Sequence, residues 1–159
     1  MHICGVDEAG RGPVIGPLVI ASYSISEEMI GEVESLGVKD SKKLTPKKRT
    51  ELFSQILELS NTHFFKILNP DFLNREMKKQ SLNEIELKAF IDAIIELKIP
   101  LKRVICDSCD VNEKRFSENI KKGIFNAGIR KFYISIPFFV LPLLFYYYFI
   151  GWMFNLQSF

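Results

Sequence analysis

The run Gly5-Val6-Asp7-Glu8-Ala9-Gly10-Arg11-Gly12-Pro13 places two adjacent carboxylates at the end of an apolar, strand-like segment, followed at once by an arginine between glycines. Like charges that close raise each other's proton affinity unless a cation offsets them, and hard oxygen ligands select Mg²⁺ or Mn²⁺. A bare Asp-Glu pair is more often a solvated strand end whose Asp caps a turn, so its surroundings must carry the reading. Gly10 and Gly12 let backbone N–H groups approach a ligand, and Arg11 supplies a fixed fork of donors for a phosphate or a sugar hydroxyl. Gly-Arg-Gly-Pro is equally a tight turn between strands. Further along, residues 39–49 concentrate six basic side chains at a helix start. A phosphate backbone is the matching counterpart, although an isolated charge run is usually a solvated face. Asp107, after Val104-Ile105-Cys106, offers a third carboxylate from another strand end. Ligands of open sheets gather beyond the carboxyl ends of strands, so Asp7, Glu8 and Asp107 converge if their strands are neighbours. Asp110 reads as a helix cap rather than a ligand, because it directly precedes a helical segment.

The elements that must position these residues alternate in type, which predicts an α/β or α+β layer fold. Residues 2–6 and 18–25 are β-prone runs joined by a Gly/Pro-rich turn suited to a hairpin-like connection. Residues 62–68 and 103–106 are two more such runs. Thr45, with Pro46 at the first helical position, opens a helix to about Leu59, carrying Leu52, Phe53, Ile56 and Leu57 at helical spacing. Ser81-Leu82-Asn83-Glu84 fits a capping box ahead of the apolar stripe Ile85, Ala89, Phe90, Ala93, Ile94 and Leu97. Residues 112–122 form a further helix, led by Asp110 or Asn112 and ended by Gly123.

The chain has 159 residues, enough for one domain with its own core, and a net charge of +2, which excludes a strongly basic nucleic-acid tail. Its charges are unevenly placed: all 21 Lys/Arg and all 19 Asp/Glu fall within residues 1–131, and the last 28 residues carry none. This divides the chain into a body, 1–131, and an uncharged, aromatic-rich tail, 132–159. Residues 132–154 are long enough to cross a bilayer as a helix, behind basic Lys121, Lys122, Arg130 and Lys131, but Pro137 and Pro142 interrupt any helix there. The leading reading is a reading frame lost near residue 128, since out-of-frame translation of an AT-rich gene gives Phe/Tyr/Ile/Leu runs. A membrane or interaction tail comes second, and a buried core segment third. Three cysteines exclude a disulfide-dense scaffold, and with no signal peptide the expected location is the cytoplasm. Cys106-Asp107-Ser108-Cys109 has one Cys-x-x-Cys pair, whereas a structural zinc site normally shows two paired motifs. Cys4 and Cys106 therefore read as small buried hydrophobes, and His63 as structural.

Residues 2–20, with residues 37–46 and 104–111, resemble three blocks of the ribonuclease H type 2 family (ribonuclease HII), particularly its archaeal branch. The resemblance covers roughly residues 1–126 and rests on those blocks. It implies a ribonuclease H-like mixed sheet flanked by helices, incomplete on its C-terminal side. It also implies endonucleolytic cleavage of the RNA strand in RNA/DNA hybrids and at ribonucleotides embedded in duplex DNA, leaving 5′-phosphate and 3′-hydroxyl ends, by a monomer. In that family pattern Asp7, Glu8 and Asp107 hold two divalent ions, Mg²⁺ or Mn²⁺. Gly10, Arg11 and Gly12 match the loop that senses the 2′-hydroxyl, and Ser41, Lys42 and Lys43 match a phosphate-contacting block. The family's fourth carboxylate, the Ser/Ala-rich helix after it and a substrate-contacting tyrosine have no counterpart here, where the last acidic residue is Glu118. Loss of that ligand predicts a poor or inactive nuclease. The alternative is a non-catalytic or membrane-tethered protein that binds hybrids without cleaving them.

Overall fold

A computed structural model describes residues 1–11, 16–37, 44–129 and 132–135. The strands are β1 (His2–Ala9), β2 (Leu18–Ser26), β3 (Thr62–Leu68), β4 (Leu101–Cys106) and β5 (Tyr133–Ser135). The helices are α1 (Ile30–Ser35, after a 3-10 turn at Glu27–Met29), α2 (Pro46–Leu59), α3 (Pro70–Glu76), α4 (Leu82–Ile95) and α5 (Glu113–Asn126). They build one mixed sheet in the order β3-β2-β1-β4-β5. β1 and β2 pair antiparallel from His2↔Ser26 to Ala9↔Val19, as a hairpin-like link requires, while β1 and β4 run parallel with Val6 opposite Cys106. This is the ribonuclease H-like α/β arrangement that the resemblance implies.

Two apolar clusters hold the layers together. Cys4, Val6, Leu18, Ile20, Val104 and Cys106 pack one side of the sheet against Ile85, Phe90, Ile94, Phe116 and Ile120 of α4 and α5, where the Phe90 and Phe116 rings meet edge to face at 5.5 Å. A smaller cluster joins Tyr23 and Ile25 of β2 to Val33 of α1 and to Leu52 and Ile56 of α2. The Tyr23 hydroxyl donates to the Ile56 carbonyl at 2.8 Å, which satisfies the polar end of a buried ring. Truncating Phe90 or Phe116 to Ala would cost about 3–5 kcal/mol, the scale for a fully buried aromatic.

The local signals are realised at the helix starts. The Ser81 hydroxyl accepts from Glu84 N at 3.3 Å and the Glu84 carboxylate accepts from Ser81 N at 2.7 Å, the two halves of a capping box. Pro46 occupies the first turn of α2, where Thr45 Oγ1 accepts from Lys48 N at 3.3 Å. At α5 the cap is Asn112, whose Oδ1 accepts from Arg115 N at 2.9 Å. Asp110 instead accepts from Asn112 N and pairs with Arg115 at 2.7 Å.

Several boundaries differ from expectation. β1 runs three residues beyond Val6, so Asp7 and Glu8 lie within the strand, opposite Ala21 and Ile20, rather than after it. α5 does not end at Gly123: a Cβ there would press on Ile91 of α4, so this glycine serves a helix contact. The helix stops at Gly128, φ +92°, where Gly128 N and Ile129 N donate to the carbonyls of Phe125 and Ile124 in a Schellman arrangement. The sheet also continues past Lys131, because β5 pairs parallel with β4 and Ile134 packs on the larger cluster. Among the described residues no helix is long and apolar enough to cross a membrane. The remainder of the expected tail, residues 136–159, lies outside the described residues.

Candidate active site

Parallel pairing of β1 and β4 brings their carboxyl ends side by side: Val6 and Cys106 are register partners, and Asp7 and Asp107 are the residues that follow them. Asp7 is 6% exposed. Its Oδ1 accepts from Glu8 N at 2.8 Å, while Oδ2 is buried without a hydrogen-bond partner, as is Oε2 of Glu8. Burial pushes the Asp7 carboxyl well above the ordinary range, and repulsion from Glu8 and then Asp107 adds to it. Glu8 is raised by burial and then by Asp107, with Arg11 pulling the other way. Asp107 is exposed and anchored through Oδ1, which accepts from Ser108 N at 2.9 Å.

The three carboxylates thus share one end of the sheet and repel one another there. Among the described residues no three His, Cys, Asp or Glu side chains are gathered closely enough to hold an ion unaided. Even so, the donors suit a hard divalent cation: oxygens only, two of them buried and unpartnered, in a cluster whose repulsion a positive charge would relieve. Zinc is not favoured by the thiols. Cys4, Cys106 and Cys109 are free and buried, and burial raises the Cys106 and Cys109 thiols to about 12, away from the thiolate that zinc needs.

Gly10 carries φ +93°, and a Cβ at this position would run into the carbonyl oxygen of Pro17, so only glycine lets β1 turn away here. Arg11 follows, and most of its fork faces the protein. Nη1 donates to the Cys109 carbonyl at 2.9 Å, Nη2 donates to Asn83 Oδ1 at 2.7 Å, and Nε stands 3.3 Å from Glu86 Oε1. The free fork expected for substrate is reduced to one N–H on each terminal nitrogen. Gly12, Ser41, Lys42 and Lys43 lie outside the described residues. Of the basic run, Lys47 is exposed, Lys48 pairs with Glu51 at 3.6 Å, and Arg49 donates to the Leu44 carbonyl at 2.9 Å. Three cations on the first turn of α2 oppose the helix dipole and concentrate positive potential there. His63 is an exposed neighbour of Ser60 and Phe65, with no link to the acidic strand ends.

Sequence reasoning missed Glu86. It is fully buried, both carboxylate oxygens lack a hydrogen-bond partner, and burial holds its carboxyl up at about 7. The signal was available: Glu86 precedes Ala89, Phe90 and Ala93 by three, four and seven residues, so an acidic side chain occupies the apolar stripe of α4.

Carboxylates at the ends of neighbouring parallel strands, in a mixed sheet with helices on both faces, define the ribonuclease H-like class. The fold bears this out against the crystal structure of ribonuclease H2 from Pyrococcus horikoshii, which superposes with a TM-score of 0.80 at 34% identity, covering 99% of this chain and 71% of that one. The ribonuclease HII in the PCNA complex from Archaeoglobus fulgidus gives 0.72 at 34% identity, over 84% and 61% of the two chains. The chain belongs to the ribonuclease HII family, whose sequence model matches residues 4–135. Ribonuclease HII of Thermococcus sibiricus is 48% identical over 124 residues, which are 78% of this chain and 54% of the relative. The chain therefore spans about half the length of the curated relatives it matches.

Proposed function

We propose that this chain carries the metal-binding and junction-sensing part of a divalent-metal-dependent endoribonuclease. The substrates are RNA/DNA hybrids and DNA duplexes with embedded ribonucleotides, and the product ends are 5′-phosphate and 3′-hydroxyl. The observation that carries this reading is the buried, unpartnered carboxylate pair at the end of β1, beside Asp107 on its parallel neighbour. Asp7, Glu8 and Asp107 would hold Mg²⁺ or Mn²⁺, which when bound supplies charge neutralisation and an activated water at the scissile phosphate. The chain's own residues bind and orient. Gly10 brings backbone against the duplex, Arg11 offers its remaining N–H groups to the sugar-phosphate at a ribonucleotide, and the first turn of α2 attracts the phosphate backbone. Gly12, Ser41, Lys42 and Lys43 are assigned to the same substrate face from the family resemblance.

Residues 119–159 hold no Asp or Glu to match the family's fourth carboxylate, and slow turnover by these 159 residues is the expectation. That favours recognition with weak cleavage as the second reading. The test uses a labelled DNA duplex with one ribonucleotide and an all-DNA control, each with Mg²⁺ or Mn²⁺. Preferential binding of the ribonucleotide duplex is expected, with slow nicking at the ribonucleotide. Equal binding of both duplexes contradicts the proposal.

A further inference from the structure

Glu86 is an expensive residue to place where it stands. A carboxylate with no exposed surface and no hydrogen-bonded oxygen is destabilising unless something else requires it. The partner it faces is Arg11, whose side chain is 37% exposed and reaches inward to it at 3.3 Å. The same guanidinium holds Asn83 of α4 and the carbonyl of Cys109, two residues beyond Asp107. Arg11 thus ties together the turn after β1, the first turns of α4 and the loop after β4, and Glu86 is the buried carboxyl group that fixes its position from beneath. Arg11 also lowers both Glu8 and Glu86, so one cation is shared between the acidic strand ends and the helix.

We propose that Glu86 is a positioning residue for ribonucleotide recognition: it holds the Arg11 guanidinium so that its remaining N–H groups point to the duplex, and keeps the Gly10-Arg11 turn in register with the Asp107 loop. This inference rests on the proposed function for its substrate, and on the geometry alone for the Glu86-Arg11 link. A neutral isostere at Glu86 would leave Asp7, Glu8 and Asp107 in place but loosen Arg11, held then by Asn83 and the Cys109 carbonyl alone.

The test compares the parent chain with Glu86→Gln, Arg11→Ala and the double variant. Binding of a one-ribonucleotide duplex and of an all-DNA duplex is measured with Mn²⁺ present. Glu86→Gln should lose about 10-fold in preference for the ribonucleotide, the scale of one charge-assisted contact, while it melts no lower than the parent and keeps its Mn²⁺-induced stabilisation. The double variant should be no worse than Arg11→Ala alone. Losses that multiply, or an unchanged preference in Glu86→Gln, overturn the proposal. Labelling with an arginine-selective dicarbonyl, read by mass spectrometry, tests the link without substrate. Arg11 should react several-fold faster in Glu86→Gln, and an unchanged rate overturns the link. A parent chain without ribonucleotide preference but with faster labelling in Glu86→Gln would overturn the functional reading and the recognition role while keeping the link.

Discussion

The first turn of α4 and the end of β1 treat carboxylates in opposite ways. Glu84 accepts hydrogen bonds from the backbone and hydroxyl of Ser81, which hold it below the ordinary carboxylate range. Glu86, two residues on, and Asp7 and Glu8 across from it are buried with unpartnered oxygens and raised. Glu84 serves the helix, because its partners are the ones the helix needs. The other three oppose folding in their own right, so their retention points to work done on something outside the fold: a cation, a substrate, or an arginine that must face one.

The contrast breaks most sharply at Asp7. Asp7→Asn should abolish Mn²⁺-induced stabilisation and lower any ribonucleotide-directed cleavage about 100-fold or more, yet melt no lower than the parent in chelator, because it removes a buried repulsion. Melting curves with and without Mn²⁺, beside a cleavage assay, check both halves. Gly10→Ala should be next, destabilising by about 2–4 kcal/mol as the new Cβ meets the Pro17 carbonyl at a positive φ, read from the denaturant midpoint.

Glu86→Gln sharpens the comparison through pH. The carboxyl stands at about 7 against an ordinary 4.5, so the folded state holds a proton that the unfolded state releases, and the parent loses stability as pH rises through that window. The groups facing it, in order of effect, are Arg11, Glu8 and Cys109. The variant should match the parent near pH 4.5 and exceed it by about 3 kcal/mol above pH 7, with urea midpoints at several pH values as the measurement. Ser81→Ala should have the smallest effect, about 1 kcal/mol of stability with no change in metal response or duplex preference, since its contacts serve only the helix.

Much of this was legible in the chain. The capping box, Pro46 at the start of α2 and the β-prone runs act within a few residues, so they announce themselves locally. The Asp7-Glu8 pair and the turn at Gly10 were legible for the same reason. What escaped was non-local. The destination of the Arg11 fork depends on Asn83, Glu86 and Cys109, between 72 and 98 residues away, and no local spacing encodes that. Glu86 was hidden by its place among apolar neighbours. Short α1, α3 and β5 take their form from packing: β5 is three residues whose place is set by β4. Gly123 misled because a glycine near a helix end reads as a stop signal, while its role was a contact with Ile91.

A divalent-cation site at the strand-end carboxylates is the proposal on which the other predictions depend. Calorimetric titration of Mn²⁺ into the parent chain and into Asp7→Asn and Asp107→Asn tests it most directly. Saturable binding by the parent, weakened about 10-fold or more in each variant, is the predicted result. The same affinity in all three chains, or no saturable binding in the parent, would contradict it.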